Sequence, residues 1–170
     1  MAVHPGQFLP QELCERVDRI HVMTYDMIGG KNRIPGHHAE LDVVKGAIEA
    51  FIDKGCRSSN IILGLPAYAR HGQNPGLVQT YSEIMDNYFA KEISSPNNNY
   101  QSTSSINGYY FDSLDAVTSK VKYAKEIGLG GVFFWELGQD KQYSESEGGI
   151  LLETAAMAGT ASENSVYSEL

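Results

Sequence analysis

Apolar positions along this chain follow two rhythms. Some segments are apolar without alternation: IILGL at 61–65, closed by Pro66, and GGVFFWEL at 130–137. Continuous short runs of this kind suit parallel strands covered on both faces. Arg19–Tyr25 reads as another strand, and Ala2–His4 as a truncated one cut off by Pro5-Gly6. Between the runs the spacing is helical. Ala39–Lys54 carries Leu41, Val44, Ile48, Phe51 and Ile52 on one face, and Gly55 is its natural C-cap. Asp112 is expected to cap a helix bearing Leu114, Val117, Val121, Ala124 and Ile127, ended by Gly128. Thr80 with Glu83 reads as a capping box, so a helix is predicted from Tyr81, carrying Ile84, Met85, Tyr88 and Phe89. Gln11–Arg16 suits one helical turn, YYF at 109–111 a short strand, and Ile150–Ala158 a short apolar helix. Residues 94–108 are polar turn formers and read as a loop.

Strand, helix, strand, insertion, helix, strand, helix is the order of right-handed βαβ units around a parallel sheet. Three firm strands and the truncated one give an α/β fold. The domain is expected over 1–158 and a small, polar, disordered tail over 159–170. A content of 42% hydrophobic and 20% charged residues suits a globular domain that buries a core. The net charge of −8 disfavours nucleic acid, whose phosphates need a basic face. No apolar run reaches the ~20 residues of a membrane span. The start, MAVHPGQFLPQ, has neither a basic nor an apolar leader region, so no signal peptide is expected in this chain. The two cysteines, Cys14 and Cys56, form no metal-ligand spacing and read as ordinary thiols, with a disulfide as the alternative. The five histidines do not fall at metal-binding spacings, and neither a metal nor another cofactor is expected.

Polar and aromatic groups gather where the strands end. Tyr25 and Asp26 close one strand, Tyr68 and Arg70 the next, Trp135 and Glu136 the last. In parallel α/β folds ligands bind outside the carboxyl ends of the strands. Each residue alone has a plainer reading: Asp26 as a turn cap, Trp135 as core, Arg70 as a surface charge. Together they suit a sugar. An indole stacks on the apolar face of a pyranose, and Tyr, Asp and Arg hydrogen-bond its hydroxyl and amide groups.

Several segments resemble family 18 glycoside hydrolases, the chitinase family, in order along residues 2–158. MTYD at 23–26 is similar to the end of that family's sixth barrel strand. LGLPAYAR at 63–70 is similar to its seventh, with Ala69 where Gly is usual. YYFDS, KVKYAKEIGLGG and VFFWELGQD resemble its closing segment, and MAVHPGQ the tail of its fifth strand. The resemblance implies an incomplete (β/α)₈ TIM barrel, its C-terminal half, of about strands five to eight. It implies binding of chitin or N-acetylglucosamine oligosaccharides, and an extracellular, secreted family. It also implies substrate-assisted retaining hydrolysis of β-1,4-linked N-acetylglucosamine polymers, in which a glutamic acid protonates the leaving oxygen and the sugar's acetamido oxygen attacks. By motif, Tyr25 and Asp26 take supporting catalytic roles: Tyr25 holds the acetamido group and Asp26 contacts the same sugar. Met23 packs beside it, Trp135 is its floor, and Tyr68 and Arg70 line the cleft.

The family's acid lies in an Asp-x-x-Asp-x-Asp-x-Glu motif that is absent from this chain. The nearest imitation, from Asp112, has Val117 for the third Asp and Ser119 for the Glu, and reads better as a helix start. Glu136 follows Trp135 and points to the other side of the strand. A complete barrel needs about 250 residues. The chain is therefore expected to be a partial chitinase-like domain, inactive alone, with a non-catalytic, lectin-like chitin-binding protein as the alternative and an unrelated small α/β binding domain as a third reading. Side chains at Val22, Ile62, Leu63, Val132 and Phe134 are assigned to the barrel interior. Their missing partners imply marginal stability and self-association through the open barrel edge.

Overall fold

In a computed structural model that describes residues 1–5, 11–28, 36–90, 99–142 and 149–161, the chain forms two four-stranded sheets. The elements in chain order are β1 (Ala2–Val3), α1 (Gln11–Arg16), β2 (Ile20–Val22), α2 (Leu41–Asp53), β3 (Ile61–Pro66), β4 (Tyr68–His71), β5 (Val78–Thr80), α3 (Tyr81–Ile84), β6 (Ser105–Ile106), β7 (Tyr109–Tyr110), α4 (Leu114–Glu126), β8 (Gly131–Trp135) and α5 (Ile150–Thr160). The first sheet is parallel, in the order β1-β2-β3-β8. The second is antiparallel, in the order β5-β4-β7-β6. No helix among the described residues is long and apolar enough to cross a membrane.

The parallel sheet is built around β3, whose six residues are all buried. One of its faces is covered by helices. Val44, Ile48 and Phe51 of α2, Val117 and Val121 of α4, and Ile150 and Leu151 of α5 share one cluster with Ile20, Val22, Ile61, Leu63 and Leu65. Val132 and Phe134 pack against the same cluster. This corrects the barrel-interior assignment of Val22, Leu63, Val132 and Phe134. They lie on the helix side, and only Ile62 of the five is on the other face. A run such as IILGL has no polar alternation to tell one face from the other. At its edge β8 has no fully buried residue, in contrast to β3.

Other boundaries moved for identifiable reasons. The strand expected over Arg19–Tyr25 ends at Val22, so Tyr25 and Asp26 stand beyond the ladder rather than in it. Tyr68 and Arg70 do not end β3. They begin a separate strand of the antiparallel sheet, because the chain turns away after Pro66, which has no N–H for a ladder. Ser113, not Asp112, caps α4 by accepting from the Ala116 amide. The capping box at Thr80 and Glu83 is formed on both sides. The helix begun at Tyr81 continues as a π-helical turn over Met85–Phe89. Helix α5 runs on to Thr160, two residues past its expected end. The tail from 162 and part of the 94–108 loop lie outside the described residues.

Cys14 of α1 and Cys56, just beyond α2, are joined by a disulfide rather than left as thiols. Both lie in the core, and spacing alone could not pair them. The bond spans 42 residues, worth about 4 kcal/mol in the chain-entropy picture. Urea unfolding of Cys56→Ser is expected to show a loss of about 2–5 kcal/mol, matched by the wild type in reductant.

Asp112 does a different job from the one its position suggests. Its carboxylate is fully buried and takes Lys120 Nζ at 2.6 Å on both oxygens. His37 Nε2 lies 3.6 Å from the same carboxylate and 2.7 Å from the Phe111 carbonyl. Burial lowers the His37 pKa despite the nearby Asp112 charge. Lys120→Met would strand the carboxylate, and thermal or urea unfolding should show a loss of about 3–5 kcal/mol, partly recovered by adding Asp112→Asn.

Candidate functional site

The site forms where β2, β3 and β8 release their carboxyl ends. Thr24 is fully buried, and its hydroxyl donates to the Gly64 carbonyl at 2.6 Å, tying the exit of β2 to β3. Tyr25 then turns inward. Its ring meets Tyr68 and Phe133 edge-on and packs with Met23 and Ala39. Gly64 makes room for it: a Cβ there would come within 2.7 Å of the Val22 carbonyl and 2.9 Å of the Tyr25 ring. Burial, then the neighbouring Asp26 charge, push the Tyr25 phenol up to about 12, so it stays a proton donor at neutral pH.

Asp26 follows at φ 55°, a left-handed conformation that Asp tolerates better than most residues. Its Oδ1 accepts from the Tyr68 hydroxyl at 2.8 Å and from Arg70 Nε. Its Oδ2 accepts from Arg70 Nη2 at 2.6 Å. His38 Nδ1 lies 3.3 Å from both Oδ1 and the Asp26 amide nitrogen. It cannot serve both at once. The hydrogen-bond geometry is met by the amide, which donates to Nδ1. Burial alone would raise the Asp26 pKa, but the His38 ring beside it and the hydrogen bonds from Arg70 and Tyr68 hold it well below the usual carboxylate range. Tyr68 is pushed up by burial and then by the Asp26 charge, so it remains the donor of the pair. Arg70 also reaches the Pro75 carbonyl at 2.7 Å, which fixes the β4–β5 turn to the site.

A cavity of about 210 Å³ is lined by Asp26, Tyr68, Arg70, Val78, Trp135 and Gln139. Trp135 is 54% exposed at the end of β8, a platform rather than core. A second cavity, of about 450 Å³, is lined by Asp26 together with His4, Pro5, Met27, Ile28, Val43 and Ala47. Asp26 lines both. Of the expected site residues, the structure brings Asp26, Tyr68, Arg70 and Trp135 to one cavity. Tyr25 and Met23 form the packed layer behind it, and Glu136 is exposed after a cis peptide bond with Trp135. Sequence reasoning missed His38, Val78, Gln139 and Gly64. His38 sits in a masking run of glycine and basic residues, and Val78 enters only through the hairpin. Gln139 was signalled by its place four residues after Trp135. Among the described residues no three His, Cys, Asp or Glu side chains gather to hold a metal ion.

A family profile described as Glycosyl hydrolases family 18 matches residues 7–140. This chain belongs to glycosyl hydrolases family 18. It is similar to Chitinase 1 of Aphanocladium album, 26% identical over 164 residues that cover 79% of this chain and 39% of that protein. Its fold matches a chitinase from Bacteroides thetaiotaomicron at a TM-score of 0.75 and 20% identity, over 99% of this chain and 54% of the other. It also matches a tobacco class V chitinase mutant, solved in complex with NAG4, at 0.70 and 23% identity, over 94% and 56%. The chain thus spans about half or less of the length of the family 18 relatives it matches.

The depressed Asp26 pKa has a definite pH signature. A carboxyl with a lowered folded pKa adds stability above its unfolded value, near 4, and that stability is lost as pH falls toward the folded value. Asp26→Asn is expected to melt several degrees lower at pH 7, at ~2–4 °C per kcal/mol for a chain this size. The gap to wild type should narrow steadily from pH 4 to pH 2 in calorimetric scans.

Proposed function

We propose that the parallel sheet is the C-terminal half of an eight-stranded family 18 barrel, and that its strand-end cavity binds β-1,4-linked N-acetylglucosamine polymers without cleaving them. The observation that carries this reading is the shared cavity of Trp135 with the Asp26–Tyr68–Arg70 constellation. An exposed indole offers a flat apolar face to a pyranose. Among the described residues Oδ2 of Asp26 has Arg70 as its hydrogen-bond donor, which leaves a lone pair for a hydroxyl or amide N–H of the sugar. Tyr25, protonated at neutral pH, supports this cavity from the packed layer behind Tyr68.

Hydrolysis in this family draws on a glutamic acid that this sequence does not contain. General acid catalysis is worth ~10²–10⁴-fold, so the reading for this chain is binding of a kind that a lectin-like protein shares. Its disulfide fits an oxidising, extracellular setting. The same reading includes self-association through the open barrel edge.

Trp135 is the only tryptophan, so its emission reports the site directly. Titration with chitotetraose is expected to change that emission in a saturable way, with no release of reducing ends. Calorimetry of Trp135→Ala should show affinity about tenfold weaker, the equivalent of ~1.4 kcal/mol. An unresponsive Trp135 with no calorimetric heat would defeat the sugar reading. Cleavage that Glu136→Gln abolishes would defeat the dismissal of Glu136.

A further inference from the structure

His38 is fully buried, and only one of its two ring nitrogens has a hydrogen-bond partner. Nδ1 accepts the Asp26 amide at 3.3 Å. A neutral imidazole carries one N–H, which this bond places on Nε2. Nε2 is buried with nothing to receive it. The ring is otherwise held by aromatic contact: it stacks on His37 at 5.7 Å and 13°, and lies against Tyr68 at 5.1 Å. The one hydrogen bond of this ring is therefore spent on the backbone of Asp26, whose carboxylate lines the cavity. His37 differs. Its Nδ1 accepts the Ala39 amide at 3.1 Å and its Nε2 faces the Phe111 carbonyl at 2.7 Å, so one neutral form satisfies both nitrogens.

We propose that His38 is a proton-operated latch on the strand-end cavity: with Nδ1 bare it holds the Asp26 amide, and with Nδ1 protonated it releases the amide, draws on the Asp26 carboxylate and weakens sugar binding. The latch rests on the sugar-binding reading above and adds its regulation. A solvent proton bonds to the Nδ1 lone pair that the Asp26 N–H was using, and Nε2 keeps its hydrogen. The ring becomes a cation with a donor on each nitrogen. Geometry selects the ring that takes the proton. A new Nδ1–H on His38 finds Asp26 Oδ1 at 3.3 Å. A new Nδ1–H on His37 finds only the Ala39 N–H. Burial, against the pull of Asp112, lowers the pKa of His37 and acts in the same direction. The stacked rings also oppose a second proton once the first is bound. Among the described residues the charged and titratable groups around the pair are Asp26, Tyr68 and Arg70 on the His38 side, and Asp112 and Lys120 on the His37 side. Oδ1 of Asp26 already accepts from the Tyr68 hydroxyl and Arg70 Nε, so a third donor is gained only by weakening those two. The released amide belongs to a residue at φ 55°, and that turn loses its tie to the loop before α2. The carboxylate then shifts toward His38 and away from the sugar.

Imidazoles change charge between about pH 5 and pH 8, so the full chain is titrated with chitotetraose in a calorimeter across that range, with circular dichroism confirming the fold at each step. Affinity is expected to fall about five- to tenfold toward acid, the worth of one hydrogen bond. His38→Asn puts a side-chain oxygen near the Nδ1 position, where it accepts the amide and takes no proton. Its profile should be flat, and at neutral pH it should bind more tightly than His38→Ala, which has no acceptor. Nitrogen NMR of the wild type gives a readout without sugar. It should show the neutral ring protonated on Nε2, and the Asp26 amide resonance should follow the titration of His38. A neutral ring protonated on Nδ1, an Asp26 amide that ignores the ring, or wild-type and His38→Asn profiles that fall together overturns the latch. Ring and amide moving together with no binding heat at any pH keeps the latch on Asp26 and defeats the sugar reading. A saturable titration of unchanging affinity across the range does the reverse.

Discussion

The carboxylate of Asp26 is the joint of this molecule. It belongs to the segment leaving the parallel sheet, while its two strongest partners, Tyr68 and Arg70, belong to the antiparallel sheet. Its third contact, His38, comes from the approach to α2. One anion therefore fixes three chain segments at the point where a ligand would lie. The arrangement costs burial of a charge and backbone at φ 55°, and both are offset only because the donors are numerous and two of the bonds come from one guanidinium.

The same economy recurs one layer back. Asp112 sits where the antiparallel sheet hands over to α4, and Lys120 of that helix satisfies it from inside the core. His37 touches Asp112 and stacks on His38, which touches Asp26. The buried Asp112 carboxylate and the partly exposed Asp26 carboxylate are thus linked through a histidine pair, and the insertion is anchored at its entry by Asp26 and at its exit by Asp112. Apolar packing could hold the sheets together, but it would not fix the rotation of one against the other. Directional, charge-assisted bonds do that, and a cleft wall needs it.

What the sequence made legible was whatever has a local signature. The helix faces of α2 and α4, the glycine stops at Gly55 and Gly128, and the capping box at Thr80 all depend on neighbours within a few residues, and all formed as read. Motif resemblance drew attention to Tyr25, Asp26, Tyr68, Arg70 and Trp135, of which the last four line one cavity. What failed was long-range. The pairing of Cys14 with Cys56, the burial of Asp112 against Lys120 and the choice of face for Val22 and Leu63 are decided by chain segments far apart in sequence. His38 was missed for the same reason: its importance lies in a contact with Asp26, twelve residues earlier, across a loop whose course no periodicity describes.

The exposure along β8 follows from the same physics as the site. A parallel strand is stable when both its faces and both its sides are covered, and β3 meets all four conditions while β8 meets fewer. Trp135, Leu137 and Leu152 are exposed together at that end of the sheet. Exposure of Trp135 is what a sugar platform requires, but exposure of Leu137 and Leu152 serves no polar ligand. The two kinds of exposure therefore have different causes. One belongs to the mouth formed by strand carboxyl ends, the other to the side of β8 that no strand pairs among the described residues.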